Sequence, residues 1–252
     1  MTSKENQIII AKRFRGPPQS GNGGLVSGVF ANLINPEHNA GVEVTLRSPT
    51  PLDQPMRANV NPPGSAVVYQ DSTVIAAIKP AHLAMSIMKP PSRSVIKRAA
   101  PTSYSLLENL NPRFPSGTGF HPGCFCCGAD RTTGLGVFAA PVDDQVAALW
   151  PTKFAWADDG GFLPREFLWT AMDCPGQFAF LATGIKTGML GRMTAQLYTL
   201  PKAGDELIIT AWPIKIEGKK HFAGSAIFSS NQELIARAIT VWVGLMNLTP
   251  TF

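Results

Sequence analysis

The chain has 252 residues, 44% apolar and 15% charged, a globular composition that excludes a disordered or collagen-like protein. Its net charge of +5 comes from scattered Lys and Arg with no dense basic stripe, which argues against nucleic acid as a partner and suits a small anionic ligand. No run approaches the roughly 20 apolar residues of a membrane span, and Met1–Ile10 has too short an apolar run for a signal peptide, so a soluble, cytoplasmic protein with no membrane partner is expected.

In chain order, the pattern predicts a strand at Ile8–Phe14 and a helix at Gly23–Ile34. Strands then follow at Val42–Arg47, Met56–Asn61, Gly64–Tyr69 and Thr73–Ile78. Lys79–Phe120 is weakly patterned. Pro90, Pro91, Pro101, Pro112 and Pro115 punctuate it, and Lys89, Arg93, Lys97 and Arg98 make it basic. It reads as a long linker, either packed over a neighbouring surface or solvated. Strands are expected again at Gly134–Ala140 and Gln145–Trp150. One long helix follows at Pro164–Thr183, apolar on almost every face and therefore buried, with a kink or break at Pro175-Gly176. The chain closes with strands at Arg192–Leu200, Glu206–Ile216, His221–Ser229 and Leu234–Leu245. Turn residues at Pro201–Gly204, Glu217-Gly218 and Ser230-Asn231 divide them, as in an antiparallel meander.

The segment Gly64–Ile78 recurs without a gap as Gly224–Ala238, 160 positions later. Two copies imply a duplicated domain rather than a solenoid. Each copy has a helix-like segment upstream, and the two differ in what they carry. The first opens Asn22-Gly23-Gly24 and has no acid. The second lacks the glycines and carries Asp173.

Residues His121–Leu135 contain Cys124-Phe125-Cys126-Cys127-Gly128 followed by Gly134-Leu135. After them come Val146–Thr152, Gly160-Gly161, Ala171-Met172-Asp173 and Leu190-Gly191-Arg192-Met193. This order resembles hotdog-fold acyl-CoA thioesterases of the phenylacetyl-CoA and medium-chain type. The resemblance covers 121–245 well and reaches 14–80 through the internal repeat. It implies an α+β double hotdog, with two curved antiparallel sheets, each wrapped around a long central helix, forming an intrachain pseudo-dimer. The expected organisation is an N-terminal hotdog at 1–80, a Pro-rich basic linker at 81–120 and a C-terminal hotdog at 121–252. One chain would suffice as the working unit, or two would join sheets edge to edge as a homodimer.

In that family the central helix opens His-Gly-Gly and carries an Asp or Glu nine residues after the His. The site pairs the glycine turn of one copy with the acid of the other. Counting back from Asp173, the turn positions hold Pro164, Arg165 and Glu166; counting forward from Asn22, the acid position holds Ala31. The resemblance therefore implies a single composite site. Asp173 is expected to act as general base, or as a nucleophile, in water attack on an acyl-CoA thioester. Asn22, Gly23 and Gly24 are expected to donate hydrogen bonds to the carbonyl oxygen. Arg192, Lys219, Lys220 and Arg237 are the candidate contacts to the phosphates of CoA, which enters as part of the substrate; no separate cofactor is expected. The alternative is a non-catalytic acyl- or CoA-binding protein on the same fold.

Three of the four cysteines lie in Cys124–Cys127, too close together for disulfides of good geometry, so reduced thiols or metal ligands are expected. His121, Cys124 and Cys127 have the spacing of half a zinc site. A structural zinc site needs four ligands and no second Cys-x2-Cys exists; Cys126 or Cys174 could complete the set, though neither spacing is diagnostic, and the expectation is a tight turn and no metal. Cys174 has no locally spaced His to activate it and reads as packing. The absence of a Gly-x-Ser-x-Gly motif argues against a serine hydrolase.

Overall fold

A computed structural model describes residues 7–34, 36–37, 39–62, 64–106 and 121–244. In chain order its elements are β1 (Gln7–Ile9), α1 (Gly23–Ala31), β2 (Gly41–Leu46), β3 (Pro55–Asn61), β4 (Ser65–Gln70), β5 (Thr73–Pro80) and α2 (Arg93–Ala99). There follow β6 (Ala140–Val142), β7 (Gln145–Pro151), α3 (Arg165–Ala171), α4 (Cys174–Leu181), β8 (Met189–Leu197), β9 (Glu206–Glu217), β10 (Lys220–Phe228) and β11 (Leu234–Val243).

The strands form one antiparallel sheet in the order β1-β3-β4-β5-β2-β8-β11-β10-β9-β7-β6. Numbered within its own half, the N-terminal set runs 1-3-4-5-2. The C-terminal set, counted inward from β7, runs the same way: β7-β9-β10-β11-β8. The expected pair of sheets is therefore a single sheet, joined where β2 meets β8 from Gly41 opposite Gln196 to Thr45 opposite Arg192. Each would otherwise be an edge with an open row of backbone donors and acceptors. Pairing satisfies those groups and aligns Val42 and Val44 with Ala195 and Met193 over the core. One apolar core runs through both halves and includes Phe30, Val44 and Val68 together with Trp150, Met172 and Phe178. The internal repeat falls on matching hairpins, β4–β5 and β10–β11. They differ in their connections: Asp71-Ser72 turns the first, with Asp71 at φ 52°, and residues 229–233 turn the second.

Several expected boundaries move, each for a local reason. The strand expected at Ile8–Phe14 ends at Ile9, and Lys12–Phe14 is a 3-10 turn that sets the Phe14 ring edge-on to Phe125 at 4.9 Å. Most of Gly134–Ala140 is not a ladder strand. Gly136 takes φ 68°, and the amides of Leu135 and Val137 donate to Phe125 and Cys126, so this segment holds the cysteine turn instead. The helix expected to Ile34 ends at Ala31 and tightens into a 3-10 turn. The long helix is two helices, with the break at Met172-Asp173 rather than at Pro175. Pro175 lies in the first turn of α4, where no amide hydrogen is needed.

The linker carries a helix, α2, that its composition did not announce. Ile96 is wholly buried with Ala147, Ile208, Trp212, Ala226 and Phe228 on the sheet face opposite α1, α3 and α4. The described part of the linker thus packs over the sheet. Residues 107–120 of the linker and Leu245 of the last expected strand lie outside the described residues.

Candidate active site

The N-terminus of α1 accounts for its first four amides in a way that defines the site. An α-helix leaves these donors without intrahelical partners. The amide of Val26 donates to the Asn22 carbonyl at 3.0 Å, and that of Leu25 donates to Asn22 Oδ1 at 2.9 Å, the usual bond of an Asn N-cap. The amide of Gly24 crosses to the other half and donates to Asp173 Oδ2 at 2.9 Å. Asn22 Nδ2 donates to the same oxygen at 2.9 Å. The Gly23 amide alone has no hydrogen-bond partner among the described residues.

Asp173 stands at the N-cap of α4 yet does not cap it. Pro175 offers no amide, and the Gly176 amide donates to the Asp173 carbonyl at 3.0 Å, which leaves the carboxylate free to turn toward α1. The side chain is 2% exposed. Its Oδ1 has no hydrogen-bond partner among the described residues. Burial pushes its pKa up to about 7, against the lowering effect of the Gly24 amide; the nearby Cys124 raises it and Asn22 lowers it.

Glycine is required where α1 touches α3. A Cβ on Gly24 would lie 2.6 Å from Asp173 Cβ and 2.7 Å from the Trp169 carbonyl oxygen, and one on Gly28 would lie 2.5 Å from Glu166 Cα. This pair, one helical turn apart, lets α1 approach closely enough for its amide to reach Asp173.

Asp173 lines a cavity of about 310 Å³ to which both halves contribute. Asn22, Gly23 and the exposed Arg47 come from the first half, Leu190 and Trp242 from the second. The pseudo-equivalent place on the other side of the molecule, beside Ala31, Arg165 and Trp169, encloses only about 10 Å³. Trp169 is buried there, and no acid stands at position 31.

Asn22, Gly23, Gly24 and Asp173 are thus brought together in the structure. Asn22 Nδ2 and the Gly24 amide hold the carboxylate, so of the three expected carbonyl donors only the Gly23 amide is uncommitted. The expected CoA contacts are not at this cavity. Arg192 and Arg237 project from the opposite sheet face because strand side chains alternate. There Arg192 pairs with Glu43 at 3.6 Å, and Arg237 donates to Gln196 Oε1. Lys219 lies in the β9–β10 turn and Lys220 opens β10, both exposed. The cation at the cavity is Arg47, just past β2, which sequence reasoning missed because nothing local marks the end of β2 as the mouth. The cysteines regroup as well. Cys124, Cys127 and Cys174 bring their sulfur atoms within 4.8 Å of one another, His121 is not among them, and Cys126 donates to the Thr170 carbonyl at 3.1 Å.

No protein-family model matches the sequence, and no curated protein matches it. Solved structures match along almost the whole chain. A candidate thioesterase II from Thermobifida fusca superposes with a TM-score of 0.61 at 13% identity, covering 97% of this chain and 94% of that one. A hot dog fold protein of unknown function from Alicyclobacillus acidocaldarius gives a TM-score of 0.59 at 9% identity, covering 98% and 96%. The tesB protein of Mycobacterium avium subsp. paratuberculosis gives 0.57 at 11% identity, covering 97% and 90%. At these identities the likeness establishes architecture: the chain has a hotdog-type α+β fold of the kind found in thioesterase-like proteins.

Proposed function

We propose that the chain is a double hotdog, with an N-terminal unit at 1–80, a linker at 81–120 and a C-terminal unit at 121–252, and that it hydrolyses an acyl-CoA thioester at one composite site. The observation that carries this reading is the asymmetry of Asp173. Two donors from the other half fix its Oδ2, while Oδ1 is unpartnered beside a cavity both halves line. In this mechanism Oδ1 takes a proton from water as the water oxygen bonds to the thioester carbonyl carbon. The carbonyl oxygen, gaining negative charge, accepts from the Gly23 amide at the positive end of α1. The C–S bond then breaks, the sulfur takes the proton back from Asp173, and a carboxylic acid and free CoA leave. Arg47, at the mouth, suits the anionic portion of CoA.

A second reading, binding without turnover, draws support from the same hydrogen bonds, since holding Asp173 leaves a single amide for the carbonyl oxygen. Free-thiol release from a panel of acyl-CoAs separates the two. The expected result is turnover by the wild type, reduced about 10²- to 10⁴-fold in Asp173→Asn with circular dichroism unchanged. Thermal stabilisation by acyl-CoAs with no thiol release from any of them would overturn the hydrolase reading in favour of binding.

A further inference from the structure

Beyond the carboxylate, the floor of the same cavity holds a cluster of thiols for which hydrolysis has no use. Cys124 and Cys174 line the cavity beside Asp173, and Cys127 lies behind them. We propose that Cys124, Cys127 and Cys174 form a binding site for a thiophilic, tetrahedral cation of the zinc class, with its fourth coordination position open to the cavity.

The distances fit. Ligands about 2.3 Å from a tetrahedral ion lie about 3.8 Å apart, and the sulfur atoms of Cys124 and Cys174 are separated by 3.8 Å. All three ligand atoms fall within 4.8 Å of one another, and all three residues are buried. The local backbone is also shaped for a held ion. Cys124 and Cys127 flank a turn in which the Gly128 amide donates to the Cys124 carbonyl at 2.9 Å. Gly128 tolerates no side chain, since a Cβ would lie 2.2 Å from the Pro122 carbonyl oxygen and 2.5 Å from the Cys124 amide nitrogen. Burial and mutual proximity hold the metal-free thiols protonated, so binding would release protons. Two neighbours favour the thiolate. Cys174 is the first residue of the eight-residue α4, at its positive end, and Asn22 Nδ2 lies 3.6 Å from Cys124 Sγ as a donor. Three sulfur ligands select zinc and other soft ions over calcium or magnesium. With three protein ligands and one position facing a cavity, the site has the coordination plan of an open zinc centre rather than a closed structural one. His121 and Cys126 are excluded by position, because the first lies outside the cluster and the second is bonded to Thr170.

The test uses Co²⁺ as a spectroscopic probe and zinc for structure, on the full chain purified under reducing conditions. Titration with Co²⁺ is expected to saturate at one ion per chain with a thiolate-to-cobalt charge-transfer band and tetrahedral d–d bands. Zinc-edge X-ray absorption on the zinc-loaded protein is expected to count three sulfur ligands at about 2.3 Å and one lighter ligand. Cys126→Ala is expected to bind as the wild type does. In Cys127→Ala and Cys174→Ala the charge-transfer intensity should fall by about one third, or binding should be lost. Absence of the band in the wild type, fewer than three sulfur ligands, or a band unchanged in Cys174→Ala would overturn the proposal. The wild-type measurements decide the matter even where a variant does not fold. None of these readouts depends on thiol release, so a protein inactive on every thioester still tests the metal site.

Discussion

A carboxyl group taken out of water costs free energy unless hydrogen bonds replace its hydration, and Asp173 is compensated at one oxygen only. The arrangement depends on Gly24, whose amide can reach Oδ2 because no Cβ stands between α1 and α3. Gly24→Ala sets a methyl group against Asp173 Cβ and the Trp169 backbone, contacts that only a shift of the whole helix relieves. Overpacking of this kind costs about 1–3 kcal/mol, and turnover should fall with it; thermal denaturation and the thiol-release assay measure the two effects. Gly23→Ala meets the flexible Leu190 side chain instead and should be the milder change. His221 gives the second prediction at this scale. It is 7% exposed, its ring lies 5.2 Å from that of Phe180, and its Nδ1 has no partner among the described residues. Burial lowers its pKa from the usual 6.5. The folded state therefore disfavours the imidazolium, and the associated stability is complete above pH 6.5 and is lost as the pH falls from there toward the folded-state value. Melting temperature followed from pH 7.5 to 5.5 should drop more steeply in the wild type than in His221→Phe; parallel curves would refute this.

Two elements behave differently from what their sequences suggest in isolation. Pro175 does not break a helix but begins one, and by removing a donor from the first turn of α4 it leaves the Asp173 carboxylate for α1. The linker helix α2 packs against the sheet face away from the cavity through the wholly buried Ile96, with Val95 and Ala99 beside it. Ile96→Ala should therefore cost about 2–5 kcal/mol of stability while leaving the kinetics of thiol release unchanged. Denaturant unfolding together with kcat and KM tests both halves of that statement.

At the scale of the whole molecule, two halves of like strand order share one sheet and the core beneath it, but the two corresponding places on the helix side differ. Pairing β2 with β8 leaves the three-residue strands β1 and β6 at the free edges, and short edges blunt edge-to-edge association. The corresponding place beside Ala31 differs in more than the absent acid: Trp169 is packed where the other side keeps a cavity, and about 10 Å³ remains. Ala31→Asp should therefore create no second active site. It would set a carboxyl against the packed Trp169 where about 10 Å³ remains, so the expected outcome is a lower melting temperature from overpacking with activity per chain not increased. A doubled rate would show instead that the missing acid is the sole defect.

Much of this was legible in the residues themselves. Turn residues between β-prone runs marked β7 to β11 to within a few positions, because a two-residue alternation and a glycine or asparagine turn are local properties; Gly134–Ala140 misled because its amides are taken by the cysteine turn. The ungapped repeat falls on the corresponding hairpins β4–β5 and β10–β11, and the complementary residues of the two helix starts pointed to Asn22, Gly23, Gly24 and Asp173, which lie together. What the sequence could not determine is direction. Whether the Gly24 amide faces a ligand or Asp173, whether Arg192 projects toward the cavity or away from it, and which of four cysteines share a neighbourhood depend on the approach of segments 40 to 150 residues apart. Those approaches are set by helix packing through Gly24 and Gly28 and by the β2–β8 junction. Local propensity specifies the elements, and only their packing against one another decides which groups have their hydrogen bonds satisfied and which are left to do chemistry.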